Sequence, residues 1–156
     1  MQKLKIAATL IVIVIFAISC SPEIKLQNTL TKDGGRWNID ELKVNTTVQL
    51  DPPVYSEEKI SNQGELLFYE SGTGIWIGLD TTLNVDVAQY FEYENTANTI
   101  LINFENSLEQ EYNVEQTNKD KQIWTREESI VDPITSITII INTQITISRV
   151  NEIKNK

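Results

Sequence analysis

A segment near the end of the chain alternates apolar and polar residues with a period of two, which restricts how it can fold. In residues 137–147, ITIIINTQITI, the odd positions are isoleucine except Thr143, and the even positions are polar except Ile140. Successive side chains of a β-strand point to opposite faces, so this segment predicts a strand with one apolar face. A two-residue hairpin at Asn142-Thr143 would break that phase, so we favour one long strand, although a three-residue loop would preserve it.

The same alternation, in segments rich in β-branched and aromatic residues, recurs from residue 35 onward. It predicts an all-β domain, and no amphipathic helix of useful length competes with the strands. The predicted strands are residues 35–44, 65–70, 74–79, 88–94, 99–105, 111–117, 121–128 and 137–149.

The segment Ser71-Gly72-Thr73-Gly74 lies between two of these predicted strands and invites comparison with a phosphate-binding loop. Such a loop would continue to Gly-Lys-Ser/Thr and open a helix whose amides meet the anion. Here Ile75-Trp76-Ile77 follow, without a lysine. We therefore interpret the glycines as part of a turn between two strands.

The first 20 residues have the layout of a secretory signal peptide. Lys3 and Lys5 precede an apolar run of 13 residues, 6–18, which Ser19 and the only cysteine, Cys20, follow. The run is shorter than the roughly 20 residues that span a bilayer, so a retained transmembrane anchor is the weaker alternative.

The tetrapeptide 17–20, AISC, resembles the lipobox of bacterial lipoproteins. The resemblance implies cleavage before Cys20, fatty acyl chains such as palmitate on that cysteine, and a membrane anchor. By analogy, Ser21 favours the outer membrane over the inner one. The predicted organisation is a signal peptide (1–19), a lipidated cysteine and tether (20–33), a β domain (34–151) and a tail (152–156).

The composition after residue 19 excludes several classes of function. These 137 residues, enough for one domain, contain 11 basic and 22 acidic residues, a net charge of −11, which argues against nucleic acid as a partner. The chain has no histidine, and its cysteine is assigned to lipid, so zinc, haem and cysteine or Ser-His nucleophiles are not expected. No calcium-loop motif occurs. We expect no cofactor, no metal and no enzymatic activity.

Three segments together resemble the lipocalin-like domains of small bacterial lipoproteins: Gly35-Arg36-Trp37, residues 64–74 (GELLFYESGTG) and residues 145–150 (ITISRV). The likeness covers about residues 34–151. It implies an eight-stranded antiparallel up-and-down barrel or a strongly curved sheet.

The lengths of the predicted connections define two ends of such a barrel. The long connections, near 45–64, 80–87, 106–110 and 129–136, gather at one end, which we call the mouth. The short ones, 71–73, 95–98 and 118–120, gather at the other end, the base. Trp37 and Arg149 should meet at the base, with the guanidinium stacked on the indole as in lipocalins. The tether also leaves from the base, so the mouth should face away from the membrane.

The alternation also predicts which side chains point into the barrel and which acids surround the mouth. The candidate interior residues are Ile39, Phe68, Ile75, Ile77, Phe91, Tyr93, Ile102 and Phe104. The candidate acidic rim consists of Glu57, Glu58, Asp80, Asp86, Glu109, Glu127 and Glu128, although we favour the simpler explanation that loops are polar and this chain is acidic. Trp76, Tyr90 and Trp124 fall on the opposite phase and would form a partner surface if exposed together.

These observations favour a non-enzymatic lipoprotein, anchored in the bacterial envelope, whose domain binds a small apolar or amphiphilic ligand at the mouth. The alternative is a β-domain with a filled interior, acting as an adaptor for another envelope protein. A carboxylate-dependent enzyme is a third and weaker hypothesis.

Overall fold

The computed structural model describes residues 22–80, 85–105 and 107–150, which form one helix and nine strands. Cys20, the predicted lipidation site, lies outside the described residues. Within these ranges no helix is long and apolar enough to cross a membrane. The elements are α1 (Pro22–Thr31), a 3-10 turn (Lys32–Gly34), β1 (Arg36–Val48), β2 (Val54–Ser61), β3 (Glu65–Phe68), β4 (Thr73–Asp80), β5 (Val85–Asn95), β6 (Thr99–Phe104), β7 (Gln110–Asn118), β8 (Lys121–Val131) and β9 (Thr138–Arg149).

The strands form a closed antiparallel barrel in which sequence neighbours are also neighbours in space. From β3 to β9 each strand pairs with the next, and β1 closes the barrel by pairing with both β3 and β9. Eight strands therefore make the barrel, and β2 is an additional strand beside β1. The predicted all-β, up-and-down barrel is confirmed, and each of the eight predicted strands overlaps an observed one.

The interval 45–64, predicted to be a long loop, is instead the end of β1, a turn and β2. β2 and β3 follow one another along the same edge of β1: β3 pairs with residues 36–38 and β2 with residues 41–48. Nearly all of β2 is exposed, so its sequence lacks the apolar alternation that marks a half-buried strand. Gly64, at φ +103°, separates the two strands, and a Cβ there would lie 1.9 Å from the backbone oxygen of Ile77.

Four strands continue past the rest of the barrel at the mouth. β8 pairs with β7 only as far as Thr125, whereas its pairing with β9 continues to Val131. β1 and β2 extend in the same way to the pair Val48 and Val54. We call this projecting sheet, made of residues 41–48, 54–61, 126–131 and 138–144, the flange.

The predicted tether is wrong for residues 22–31, which form α1 and pack against the barrel base. Leu26 and Leu30 of α1 are buried in the core. Asn95 and Gln27 join the helix to base turns, donating to the backbone oxygens of Glu23 and Glu70 respectively. The ten-residue helix escapes sequence analysis because only two of its side chains are buried, too few for a clear helical pattern.

Arg149 and Trp37 meet at the base beneath α1. The guanidinium carbon lies 4.4 Å from the centroid of the indole ring, which is the predicted stacking. The indole Nε1 donates to the backbone oxygen of Leu30 at 2.9 Å, and Arg149 donates to the backbone oxygens of Thr29 and Lys32. The same two side chains thus close the barrel and hold the helix that covers it.

The Ser71-Gly72-Thr73-Gly74 segment is a turn, as its sequence indicates. The amide of Tyr69 donates to the oxygen of Thr73 at 2.9 Å, and Gly72 has a φ of +81°. β4 starts at Thr73 and continues directly, without a helix that could receive an anion.

Candidate functional site

The barrel interior contains a cavity of about 460 Å³ that opens at the mouth, beside the flange. Volumes of this order are typical of small-molecule sites. Most of its lining is apolar, and the flange contributes to one wall. The apolar lining consists of Ile39, Leu42, Val44, Leu66, Trp76, Ile102, Phe104, Trp124, Ile141 and Ile145.

Aromatic rings form the inner part of this lining. Trp76 packs edge-to-face on Phe104 with ring centroids 6.3 Å apart, and Trp124 is fully buried. Both indole N–H groups have acceptors within the protein: Trp124 donates to Oε1 of Gln122 at 2.8 Å, and Trp76 to the backbone oxygen of Gln63 at 3.3 Å. Trp76 and Phe104, which are half-buried, therefore offer apolar ring surface to the cavity, and neither indole has an unpaired donor.

A polar cluster lies closer to the mouth on β7 and β8. Arg126 and Glu128 form an ion pair on one face of β8, and the hydroxyl of Tyr112 donates to Oε1 of Gln110 at 2.6 Å. All four side chains line the cavity. Burial raises the pKa of the Tyr112 phenol, and the nearby Arg126 partly opposes this. The cavity thus combines an apolar interior with a few hydrogen-bonding groups near its opening.

The flange presents different chemistry on its two faces. On the inner face, cross-strand rows join Val44 to Thr143 and Arg126, and then Thr46 to Ile141 and Glu128. On the outer face, Lys43 pairs with Glu57 at 2.8 Å, and Lys59 with Glu41 at 2.7 Å. The inner face therefore continues the cavity wall, whereas the outer face is charged.

The tips of the mouth are apolar and exposed, a feature that we call the apolar rim. In the described parts of the chain, nine of the eleven exposed large apolar side chains lie there; the other two are Tyr69 and Tyr90. The rim consists of Leu50, Val54, Tyr55, Val85, Val87, Leu108, Ile130, Val131 and Ile134. Such clustering is unusual for a surface that faces only water.

The predicted acidic rim residues lie at the mouth end but do not converge on the opening. Glu57 and Glu127 lie on the outer face of the flange. Asp86 also points outward, because it is three residues from Gln89 on β5 and Gln89 lines the cavity. Glu109 is exposed in the β6–β7 connection. Glu58 shares the inner row of Val44, and Glu128 lines the cavity with Arg126. For Asp80, the last residue of β4, the structure gives only its backbone pairing with Val85.

Six predicted interior residues lie inside the barrel: Ile39, Phe68, Phe91, Tyr93, Ile102 and Phe104. The prediction is wrong for Ile75 and Ile77, which pair with exposed Tyr90 and Ala88 on the outer face. Their neighbour Trp76, predicted to point outward, lines the cavity instead.

Trp124 is likewise inside, against prediction, and Ile123 takes the opposite phase. The sequence predicts the wrong inward face for β8 because Gln122, a polar residue, is fully buried and accepts a hydrogen bond from the Trp124 indole. For β4 the sequence did contain a signal: Gly74 and Gly78 flank Trp76 on the same face. Gly78 leaves room for the ring, since a Cβ there would lie 2.7 Å from it.

Asp, Glu, His and Cys side chains form no group of three or more that could hold a metal ion within the described ranges. Comparisons with models of protein families, with curated proteins and with solved structures found no match.

Proposed function

We propose that this protein is a non-enzymatic, lipid-anchored envelope protein that binds a small apolar or amphiphilic molecule in its barrel cavity. The carrying observation is the cavity of about 460 Å³, with a predominantly apolar lining and a polar cluster near its opening. Binding sites for small molecules commonly combine these two features, because apolar contact supplies affinity and a few polar groups fix orientation.

The arrangement of the lining suggests how such a ligand is oriented. Its apolar part packs against the rings of Trp76 and Phe104. Its polar part lies near the mouth, where Arg126, Gln110 and Ser107 supply hydrogen-bonding groups. The cavity also accommodates an apolar molecule without a polar group. The polar cluster would then stay solvated.

The proposed anchor rests on the lipobox-like residues 17–20 and on their position relative to the fold. The described chain begins with α1 at the base, at the opposite end of the barrel from the mouth. An acylated Cys20 would therefore attach the protein by its base and leave the mouth accessible. The membrane would then be the principal partner of the protein, bound through the lipid on Cys20.

The test is native mass spectrometry of the chain from residue 21 onward, expressed in the envelope without lipid. The expected result is a reproducible extra mass that disappears on denaturation. Ile141→Trp, which fills the cavity, should abolish it, whereas Ile140→Trp, on the opposite face of β9, is the matched control and should retain it.

Titration with the apolar fluorophore N-phenyl-1-naphthylamine supplies a second readout. The wild-type protein and the Ile140→Trp variant should bind it with similar affinity, and the Ile141→Trp variant at least about tenfold more weakly. A folded wild-type protein with a bare mass and no saturable probe binding would contradict the proposal.

The apolar rim supports a second candidate function, the docking of another envelope protein. Nine exposed apolar side chains, interleaved with acids such as Asp86, Glu109 and Asp132, would fit an apolar surface with basic groups. Photo-crosslinking from position 108 in intact cells should then capture one specific protein. A crosslinker at exposed Tyr90 is the control, and identical products from both positions would count against docking through the rim.

A further inference from the structure

A second cavity, of about 470 Å³, lies at the base of the molecule, between α1 and the β7–β8 turn. The helix contributes Lys25, Asn28 and Thr29, the 3-10 turn contributes Lys32, the β7–β8 turn contributes Lys119 and Asp120, and β9 contributes Arg149. This basal pocket is at the opposite end from the ligand cavity. The proposed ligand binding leaves it without a role.

Local structure holds the pocket residues in place. Lys25 and Thr29 lie one turn apart on α1, next to the buried Leu26 and Leu30, and Lys32 follows at the start of the 3-10 turn. Arg149, with 6% of its surface exposed, donates to the backbone oxygens of Thr29 at 2.6 Å and Lys32 at 2.5 Å. These hydrogen bonds hold the segment that carries Lys25 and Lys32 against the barrel.

The pocket concentrates positive charge in an otherwise acidic chain. It contains four cationic side chains and one carboxylate, Asp120, which lies 3.3 Å from Nε of Arg149. Lys119 is only loosely associated with that carboxylate, at 3.9 Å. Lys25 and Lys32 make no ion pair with any of the described residues. Grouped cations repel one another, so an anion bound among them would be stabilised.

We propose that this basal pocket binds the phosphate groups of anionic phospholipids and holds α1 against the bilayer surface. The ammonium groups supply the charge, and the side chains of Asn28 and Thr29 add hydrogen-bonding groups. Lysine-rich patches next to a membrane anchor bind anionic headgroups in this way.

The position of the pocket relative to the predicted anchor selects phospholipid over phosphate in solution. Cys20 precedes Pro22, the first residue of α1, by only two positions in the sequence. An acylated Cys20 would therefore bring the pocket to the headgroup layer. The inference depends on the lipid anchor of the proposed function but not on ligand binding in the barrel.

The acidic residues of the mouth do not cancel this attraction. β1 has 13 residues and is roughly 40 Å long, so with the usual strand tilt the two ends of the barrel are separated by roughly 30 Å. Electrostatic interactions in physiological salt decay over about 8 Å. The headgroups therefore experience the local charge of the base, with its lysines, more strongly than the net charge of the chain.

The test uses the chain from residue 21 onward, because residues 22–150 contain the whole barrel, its core and α1. Its partition onto vesicles of phosphatidylcholine is compared with that onto equal parts of phosphatidylcholine and phosphatidylglycerol. The wild-type chain should prefer the anionic vesicles. Lys25→Gln with Lys32→Gln should reduce that partition by roughly 25-fold, since each lysine near a membrane contributes about fivefold.

The control is Lys43→Gln with Lys59→Gln, which removes the same charge from the outer face of the flange. It should leave the partition within about twofold of wild type, because those lysines lie far from the base.

Equal losses in the two double variants, or no preference of the wild type for anionic vesicles, would overturn the proposal. Saturable binding of inorganic phosphate at Lys25 and Lys32 without vesicle binding would also overturn it, and would identify free phosphate as the ligand. Lys25, Lys32 and Lys59 are exposed and Lys43 is half-buried, and equal thermal midpoints would verify that the variants fold.

Discussion

Arg149 illustrates what one side chain does in this fold. Its guanidinium stacks on Trp37, donates to two backbone oxygens at the end of α1 and lies beside Asp120. A buried cation is stable only when its donors and charge are satisfied, and these partners meet that requirement. The sequence predicted the stacking. The helix partners could not be predicted, since nothing in the sequence placed residues 29–32 beneath the barrel.

Tyr112 provides a prediction at the same scale. Burial raises the pKa of its phenol above the usual value of 10.0, so the folded state retains the phenolic proton at a pH where the unfolded state has lost it. The free energy of unfolding is therefore expected to fall as pH rises above about 10. Urea titrations across this range should show a shallower fall for Tyr112→Phe.

Some slope should remain in that variant, because burial also raises the pKa of Tyr93. Tyr90→Phe removes a hydroxyl from an exposed ring and is the matched control. If Tyr112→Phe and Tyr90→Phe gave the same slope as the wild type, the Tyr112 phenol would not be buried as described.

Two elements, α1 and β2, were missed for the same reason. Sequence patterns detect an element through the periodicity of its buried side chains. β2 is exposed along most of its length, and α1 buries only Leu26 and Leu30. β2 forms through its backbone pairing with residues 41–48 of β1. Backbone pairing does not require a pattern of polar and apolar side chains.

The contribution of α1 can be measured at Leu30, whose side chain is fully buried beneath the helix. Leu30→Ala should lower the free energy of unfolding by about 2–5 kcal/mol, because the substitution loses apolar burial and leaves a cavity. Leu108→Ala is the control, since that residue is 85% exposed in the β6–β7 connection. A loss at position 30 no larger than at position 108 would mean that α1 does not pack on the barrel in solution.

The whole molecule has two chemically different ends. The base is closed by α1 and carries the basal pocket with its lysines, whereas the mouth is open, apolar at its rim and continuous with the ligand cavity. The short hairpins meet at the base because every second connection of an up-and-down barrel lies at the same end. This polarity would orient an anchored protein with its cavity away from the bilayer.

The proposed anchor leads to a prediction for the whole chain. Cys20→Ser removes the only thiol that could be acylated, so the protein should move from the membrane fraction to the soluble fraction of cells. Fractionation followed by immunoblotting measures the change. A variant that stayed in the membrane would instead favour a retained signal anchor at residues 6–18.

The sequence by itself determined the strand content, the assignment of short connections to one end and the meeting of Trp37 with Arg149, whereas the barrel was implied by the resemblance of three segments to a known family. These follow from local periodicity and chain order, which are present in any one segment or in the succession of segments. The tertiary structure decided which face of β4 and β8 points inward, since the polar Gln122 is buried beside Trp124, whose indole donates to it. It also decided that α1 covers the base and that Lys25, Lys32 and Lys119 share one pocket, because such contacts join distant parts of the chain.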